Sequence, residues 1–223
     1  MKKIGLLIAI VGLLIFFGNK PEVQAADLYL NYQELSAAKI IGTDYKIVNR
    51  KTASSTAVIA IHGGSIEPGT SELADNIAGT NHDFYSFYGI MSSNNTSLHI
   101  TSTNFNEPIA LDLVQKSRNT LSIHGFSSTS NLTYIGGLDK TLVAKVKTKL
   151  KAAGFVVADA PINLAGLETT NITNRNLRKA GVQIEISSSL RASFFSSLTT
   201  AGRETKTTQF YKYTNAIRAA LSY

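Results

Sequence analysis

TAVIAIHGGSIEPGT, residues 56–70, joins two kinds of sequence: an apolar run from Thr56 to Ile61, then a cluster of one histidine, three glycines and a glutamate. A short apolar run rich in β-branched residues and bounded by turn residues reads as a buried strand. Past the cluster, Thr70 or Ser71 opens a short helix through Ala78, capped by a hydroxyl. Strand, polar turn and helix in succession point to a layered α/β domain, in which ligands bind beyond the carboxyl ends of the strands.

The rest of the chain repeats this alternation. SLHITS at 97–102, TLSI at 120–123, FVVADA at 155–160 and VQIEIS at 182–187 are further strand candidates. Leu138, Leu142, Val146 and Leu150 recur at spacing four and run into Ala153 and Gly154, a helix with a glycine stop. Phe210, Tyr213, Ile217 and Leu221 predict a second amphipathic helix near the end. No internal repeat or low-complexity segment interrupts the pattern. It predicts a single α/β domain over residues 26–223, with a largely parallel or mixed sheet and helices packed against it.

Before that domain, MKKIGLLIAIVGLLIFFGNKPEVQA has two lysines, an apolar run from Ile4 to Phe17 and a polar segment ending on Val23, Gln24 and Ala25. This reads as a secretory leader over residues 1–25, because an apolar run of roughly 14 residues is short for a bilayer span of about 20. Export and release from the membrane follow. The chain has no cysteine, which excludes disulfides, thiol nucleophiles and Cys-ligated zinc. With 22 basic against 15 acidic residues its net charge is +7, suited to a polyanionic partner as well as to plain solubility. The basic residues are dispersed, without the clusters of a nucleic-acid groove.

VIAI is followed by His62 and Gly63, and TLSI by His124 and Gly125, so two histidines emerge at strand ends beside glycines. Glu67 follows His62 by five residues, close enough for a tight loop to return its carboxylate. Two imidazoles and a carboxylate, with a fourth position open to water, make the His₂Glu set of catalytic zinc hydrolases. A strand-end histidine also serves as an ordinary satisfied polar residue, and spacing leaves both readings open. HGG is reminiscent of a serine-hydrolase oxyanion segment, but no GxSxG follows. His99 is a candidate for the same pocket, in a supporting or substrate-binding role, and His82 reads as packing or a loop hydrogen bond.

In VQIEIS the apolar residues alternate with Gln183, Glu185 and Ser187, placing a carboxylate in mid-strand. Buried, it must meet a cation, a water or a cavity; on an edge strand it would face solvent. Asn171, Asn174, Arg175 and Arg178 lie just upstream and Arg191 just downstream, where guanidinium groups could grip substrate carboxylates bidentately.

Taken together, AIHGGSIEPGTSELA, LHITSTNFNEP, SIHG, NITNRN and GVQIEIS resemble the zinc-dependent poly-γ-glutamate hydrolases of the phage type, from about residue 30 to 200. The resemblance implies a mixed sheet flanked by helices, similar to zinc carboxypeptidases. It implies one Zn2+ held by His62, Glu67 and His124, with Glu185 as general base. Poly-γ-glutamate would be the substrate, cut within the chain by a monomeric enzyme. Beside this stand a zinc carboxypeptidase or amidase acting on wall peptides or N-acyl glutamates, and a non-catalytic polyanion-binding module.

Overall fold

The computed structural model describes residues 27–222. The leader expected over 1–25 lies outside them. In chain order the elements are α1 (Tyr32–Ala38), β1 (Tyr45–Arg50), β2 (Thr56–Gly64), α2 (Thr70–Ala78), β3 (Asp83–Gly89), α3 (Pro108–Lys116) and β4 (Asn119–Phe126). There follow β5 (Thr133–Gly136), α4 (Lys140–Ala152), β6 (Val157–Asp159), β7 (Val182–Ser187), α5 (Ser188–Ser193) and α6 (Thr208–Leu221).

The strands form one seven-stranded mixed sheet in the order β1-β3-β2-β4-β7-β5-β6. β3, β2, β4 and β7 run parallel; β1 pairs with β3, and β5 with β7, antiparallel. This is the mixed α/β sheet that the alternating pattern predicts. Every residue of β2 and of β7 is buried, so Glu185 lies on an interior strand between β4 and β5 and not at an edge.

Each face of the sheet has its own core. Val58, Ala60, Leu121, Ile123, Val182, Ile184 and Ile186 pack with Leu73 and Ile77 of α2, Val146 and Leu150 of α4, and Tyr213 and Ile217 of α6. On the other face Ile59, Ile61, Tyr85 and Phe87 pack with Leu113 and Val114 of α3 and with Phe105 and Ile172. Strand alternation puts Ser122, His124, Gln183 and Glu185 on this second face. There the covering is made by loops 101–103 and 162–168, and a cavity remains beneath them.

A bulge in β2 brings His62 to the same face. Ala60 pairs with Ser86 but Gly63 with Tyr88, so β2 spends one residue more than β3 over that stretch. An extra residue breaks the alternation and re-aims the side chain beside it. The two glycines after His62 have different causes. Gly64 has φ +65, in the left-handed region, and lies against the backbone of Gly89. Gly63 is there for space: a Cβ would stand 2.1 Å from Ser71 Oγ and 2.3 Å from Ser86 Oγ.

Several local expectations are corrected. SLHITS is not a strand: Asn95–Leu98 is a 3-10 turn and His99–Ser102 an irregular segment. Its backbone groups are satisfied elsewhere, with Thr101 N donating to the Asp27 carboxylate and Ser102 O accepting from Ile172 N, so no ladder is needed. FVVADA shortens to the three residues of β6. α2 does start at Thr70, but its N-cap is Gly69 in a left-handed conformation, without a side-chain cap. The Thr70 hydroxyl instead donates to the carbonyls of His62 and Glu67, tying the loop down. α4 starts at Lys140, where Asp139 accepts from Leu142 N as N-cap.

Gly63→Ala should cost about 1–3 kcal/mol through overpacking of the strand–helix contact. Urea unfolding reads this directly; an unchanged midpoint would mean that Ser71 and Ser86 can turn aside.

Candidate metal centre

The loop after β2 closes on itself. Glu67 N donates to His62 O (2.9 Å), and Gly125 N, at the end of β4, donates to Glu67 Oε2 (2.7 Å). These bonds return the carboxylate to the strand ends. Glu67 Oε1 then lies 3.0 Å from His62 Nδ1, and His124 Nδ1 lies 3.2 Å from His62 Nδ1 and 3.9 Å from Glu67 Oε2. His62, Glu67 and His124, far apart in sequence, therefore meet at one point.

Their protons limit what can bind there. His62 Nε2 is 2.9 Å from Ile100 O. A carbonyl only accepts, so Nε2 carries the hydrogen and a neutral His62 directs a lone pair from Nδ1. That lone pair faces a carboxylate oxygen and a second imidazole nitrogen. Such a group of acceptors is stable only around a cation, either a proton or a metal. Ligands about 2.0–2.1 Å from a tetrahedral zinc stand about 3.3 Å apart, close to the spacings here. The donor set fits zinc. His99 adds a second possibility, since its ring centroid is 3.9 Å from that of His62, and His62, Glu67 and His99 offer ligand atoms within 4.8 Å of one another. In the set with His124, both nitrogens facing the centre are Nδ1 atoms 3.2 Å apart, whereas His99 Nδ1 is held by Asp27 and only its Nε2 could turn to an ion.

Without a metal, the electrostatics of the site are strained. Burial pushes His124 down to about 3, which keeps it neutral as a ligand must be. Burial also opposes the charge on Glu67, but the His62 ring beside it prevails and holds the carboxyl down to about 2. His62 is buried as well, and the Glu67 charge outweighs that and raises its pKa. Glu185 moves the other way: burial, then repulsion from Glu67, push it up to about 8.

Glu185 stands beside His124 in the β4–β7 register. Gln183 Nε2 donates to Glu185 Oε1 (2.8 Å), and Asn171 Nδ2 donates to Gln183 Oε1 (2.9 Å), so a fixed amide chain orients the carboxylate. His62, Glu67, His99, His124, Gln183 and Glu185 all line a cavity of about 420 Å3. Gln183 is the supporting residue that sequence reasoning passed over, although it shares the polar face of β7 and so carried a signal.

None of the three arginines expected to bind substrate lines this cavity. Arg178 sits at the opposite, amino end of the strands, donating to Asn119 Oδ1 and Asp139 Oδ2. Proximity in sequence misled here because residues upstream of a strand lie at its start, and the site lies at its end. Arg175 gives Nε, Nη1 and Nη2 to the carbonyls of Thr170, Phe105 and Thr103, bracing the covering loops against each other. Arg191 is buried behind the site, with Nε on Ile186 O and Nη1 on Pro68 O. A Cβ on Gly125 would lie 2.5 Å from its Cζ, so that glycine makes room for a buried cation. His82 bonds Ser54 Oγ at the start of β3, away from the cavity.

A family model described as poly-γ-glutamate hydrolase matches residues 29–216. The SPbeta prophage-derived protein YoqZ of Bacillus subtilis (strain 168) is 39% identical over 198 residues, which cover 87% of this chain and 72% of that protein. A solved bacteriophage poly-γ-glutamate hydrolase superposes with a TM-score of 0.86 at 33% identity, over 88% of this chain and 97% of that one. YndL, solved in an apo, zinc-free form, superposes with a TM-score of 0.84 at 35% identity, over 88% of this chain and 98% of its own.

Two outcomes follow from this geometry. In the metal-free protein Glu185 keeps its proton up to about pH 8, while the unfolded chain loses it near the ordinary 4.5. The folded state thus binds the extra proton between these values, and the associated stability is full below the lower one and lost as pH rises toward the upper. Urea unfolding of metal-free protein should therefore show wild type losing stability relative to Glu185→Gln between about pH 5 and 8; parallel curves would contradict it. Arg178→Ala should lower stability by about 1 kcal/mol or more through lost charged hydrogen bonds. Steady-state kinetics should leave its KM unchanged, and a large rise would return Arg178 to the substrate.

Proposed function

Because the chain belongs to the poly-γ-glutamate hydrolase family, we propose that it is an exported, monomeric enzyme that cuts γ-glutamyl amide bonds within poly-γ-glutamate, with one zinc ion on His62, Glu67 and His124. The observation that carries this reading is the convergence of two imidazole lone pairs and a carboxylate beside a second, proton-retaining carboxylate, Glu185. The zinc-free form of YndL supports the choice of metal. The lysine-flanked apolar run at the start of the chain supports export.

Zinc in that set would polarise the scissile carbonyl and lower the pKa of a water molecule toward about 7. His62 and His124 contribute neutral rings, each held at its other nitrogen: His62 by Ile100 O and His124 by Ser122 Oγ (2.7 Å). Glu185, oriented by Gln183, takes a proton from the attacking water and delivers it to the nitrogen that leaves as the amine. Its raised proton affinity suits a group that must accept and then donate near neutral pH. Arg191, fixed behind Glu67 and Glu185, keeps positive charge near both carboxylates without meeting substrate. Polymer carboxylates are met by the polar lining, which includes Ser102, Thr103, Ser127 and Asn163. The basic surface draws the polyanion in.

The test is purification with metal analysis, then viscosity and end-group measurements on poly-γ-glutamate with and without chelator. Internal cleavage lowers viscosity before monomer appears, chelation stops it, and added zinc restores it. Monomer appearing first would identify a carboxypeptidase, and undiminished cleavage by metal-free protein would overturn the zinc reading. Glu185→Gln should keep its zinc and lose about 100-fold or more in kcat. Wild-type turnover in that variant would remove Glu185 as the base.

A further inference from the structure

Asp27 grips the segment beside the site at two points. Its Oδ1 is 2.6 Å from His99 Nδ1, and its Oδ2 accepts from Thr101 N at 2.5 Å. One carboxylate therefore spans the irregular segment His99–Thr101, which has no strand neighbour to hold it. Between those anchors Ile100 is fully buried, and its carbonyl is the group that accepts from His62 Nε2. The His99 ring also packs against the His62 ring, tilted by 32°. Asp27 thus reaches His62 through a continuous set of contacts, although it is 72 residues from His99 in sequence. It also lies two residues ahead of the stretch that the family model matches.

We propose that Asp27 is a positioning residue of the metal centre: by clamping His99–Thr101 it sets the Ile100 carbonyl that holds His62 with Nδ1 free for the ion. The inference rests on the zinc reading above. Outer partners that fix the second nitrogen of a ligand histidine are worth about 10–100-fold in metal affinity. The same carboxylate defines the proton on His99, because a carboxylate only accepts and Nδ1 must donate to it. Nε2 of His99 is then the nitrogen left with a lone pair. The beginning of the folded domain is by this account part of the site.

Asp27→Asn tests it with almost no change of shape. Thr101 N can only donate, so the amide oxygen must face it and the amide NH2 must face His99 Nδ1. His99 is then forced to carry its hydrogen on Nε2. Nitrogen-15 NMR of the imidazole rings in the metal-free full chain should show His99 as the Nδ1–H form in wild type and the Nε2–H form in the variant. Zinc itself, titrated in competition with a chromophoric chelator, should bind about 10–100-fold more weakly to Asp27→Ala, which removes both anchors and frees His99–Thr101. Asp27→Glu should restore the Nδ1–H form and part of the affinity. An Nε2–H His99 in wild type would overturn the clamp without any variant, and unchanged zinc affinity in a folded Asp27→Ala would overturn the positioning role. A wild type that binds no zinc would instead sink the zinc reading, while the tautomer comparison still decides whether Asp27 sets His99.

Discussion

A buried imidazole lone pair facing a buried carboxylate is the contact around which this site is organised. His62 Nδ1 and Glu67 Oε1 are 3.0 Å apart, and the hydrogen on the other His62 nitrogen is committed to Ile100 O. Two acceptors at that distance repel unless a cation stands between them, and His124 Nδ1 adds a third acceptor at 3.2 Å. The surroundings are built to impose this arrangement: Gly125 N fixes the far oxygen of Glu67, and the β2 bulge turns His62 onto the face of His124. Each donor is locked by a bond made on its other side, which is how a site achieves geometry before its ion arrives.

Such a site is costly to fold around. Glu67 and Glu185 place two carboxylates in a largely buried pocket, and burying charge without compensation is among the larger penalties a fold can carry. The chain meets it in three ways. His62 accepts part of the charge of Glu67, Glu185 retains a proton, and Arg191 is buried behind both, anchored to the carbonyls of Ile186 and Pro68. Arg191 has the residue type expected of a substrate clamp and a structural position instead. The two cores on either side of the sheet supply the apolar burial that makes the cost bearable.

Much of the scaffold was readable because burial leaves a local trace. β2, β4 and β7 are apolar runs, and Leu142, Val146 and Leu150 of α4 and Phe210, Tyr213, Ile217 and Leu221 of α6 all pack in the core, while Leu138 lies ahead of α4 and outside that core. β1 and β5 leave a weaker trace, because β1 is half-exposed and β5 is only four residues long, and β3, DFYSFYG, lacks a β-branched aliphatic run. SLHITS had strand composition, but its backbone partners are a side chain and a loop that only the folded chain brings near. Propensity yields to such tertiary partners wherever no neighbouring strand is available.

The chain by itself determined the donor types and their local grammar: histidines followed by glycine at strand ends, a carboxylate five residues on, another in mid-strand, and no thiol to compete for a metal. Those follow from periodicity and residue chemistry, which are local. What the tertiary structure alone decided is which side chains meet. It placed Arg178 at the wrong end of the sheet, Arg191 behind the site, Gln183 against Glu185, and Asp27 against His99. Strand order, a one-residue bulge and the path of two loops settle such meetings, and they depend on register between distant segments, which no stretch of sequence carries alone.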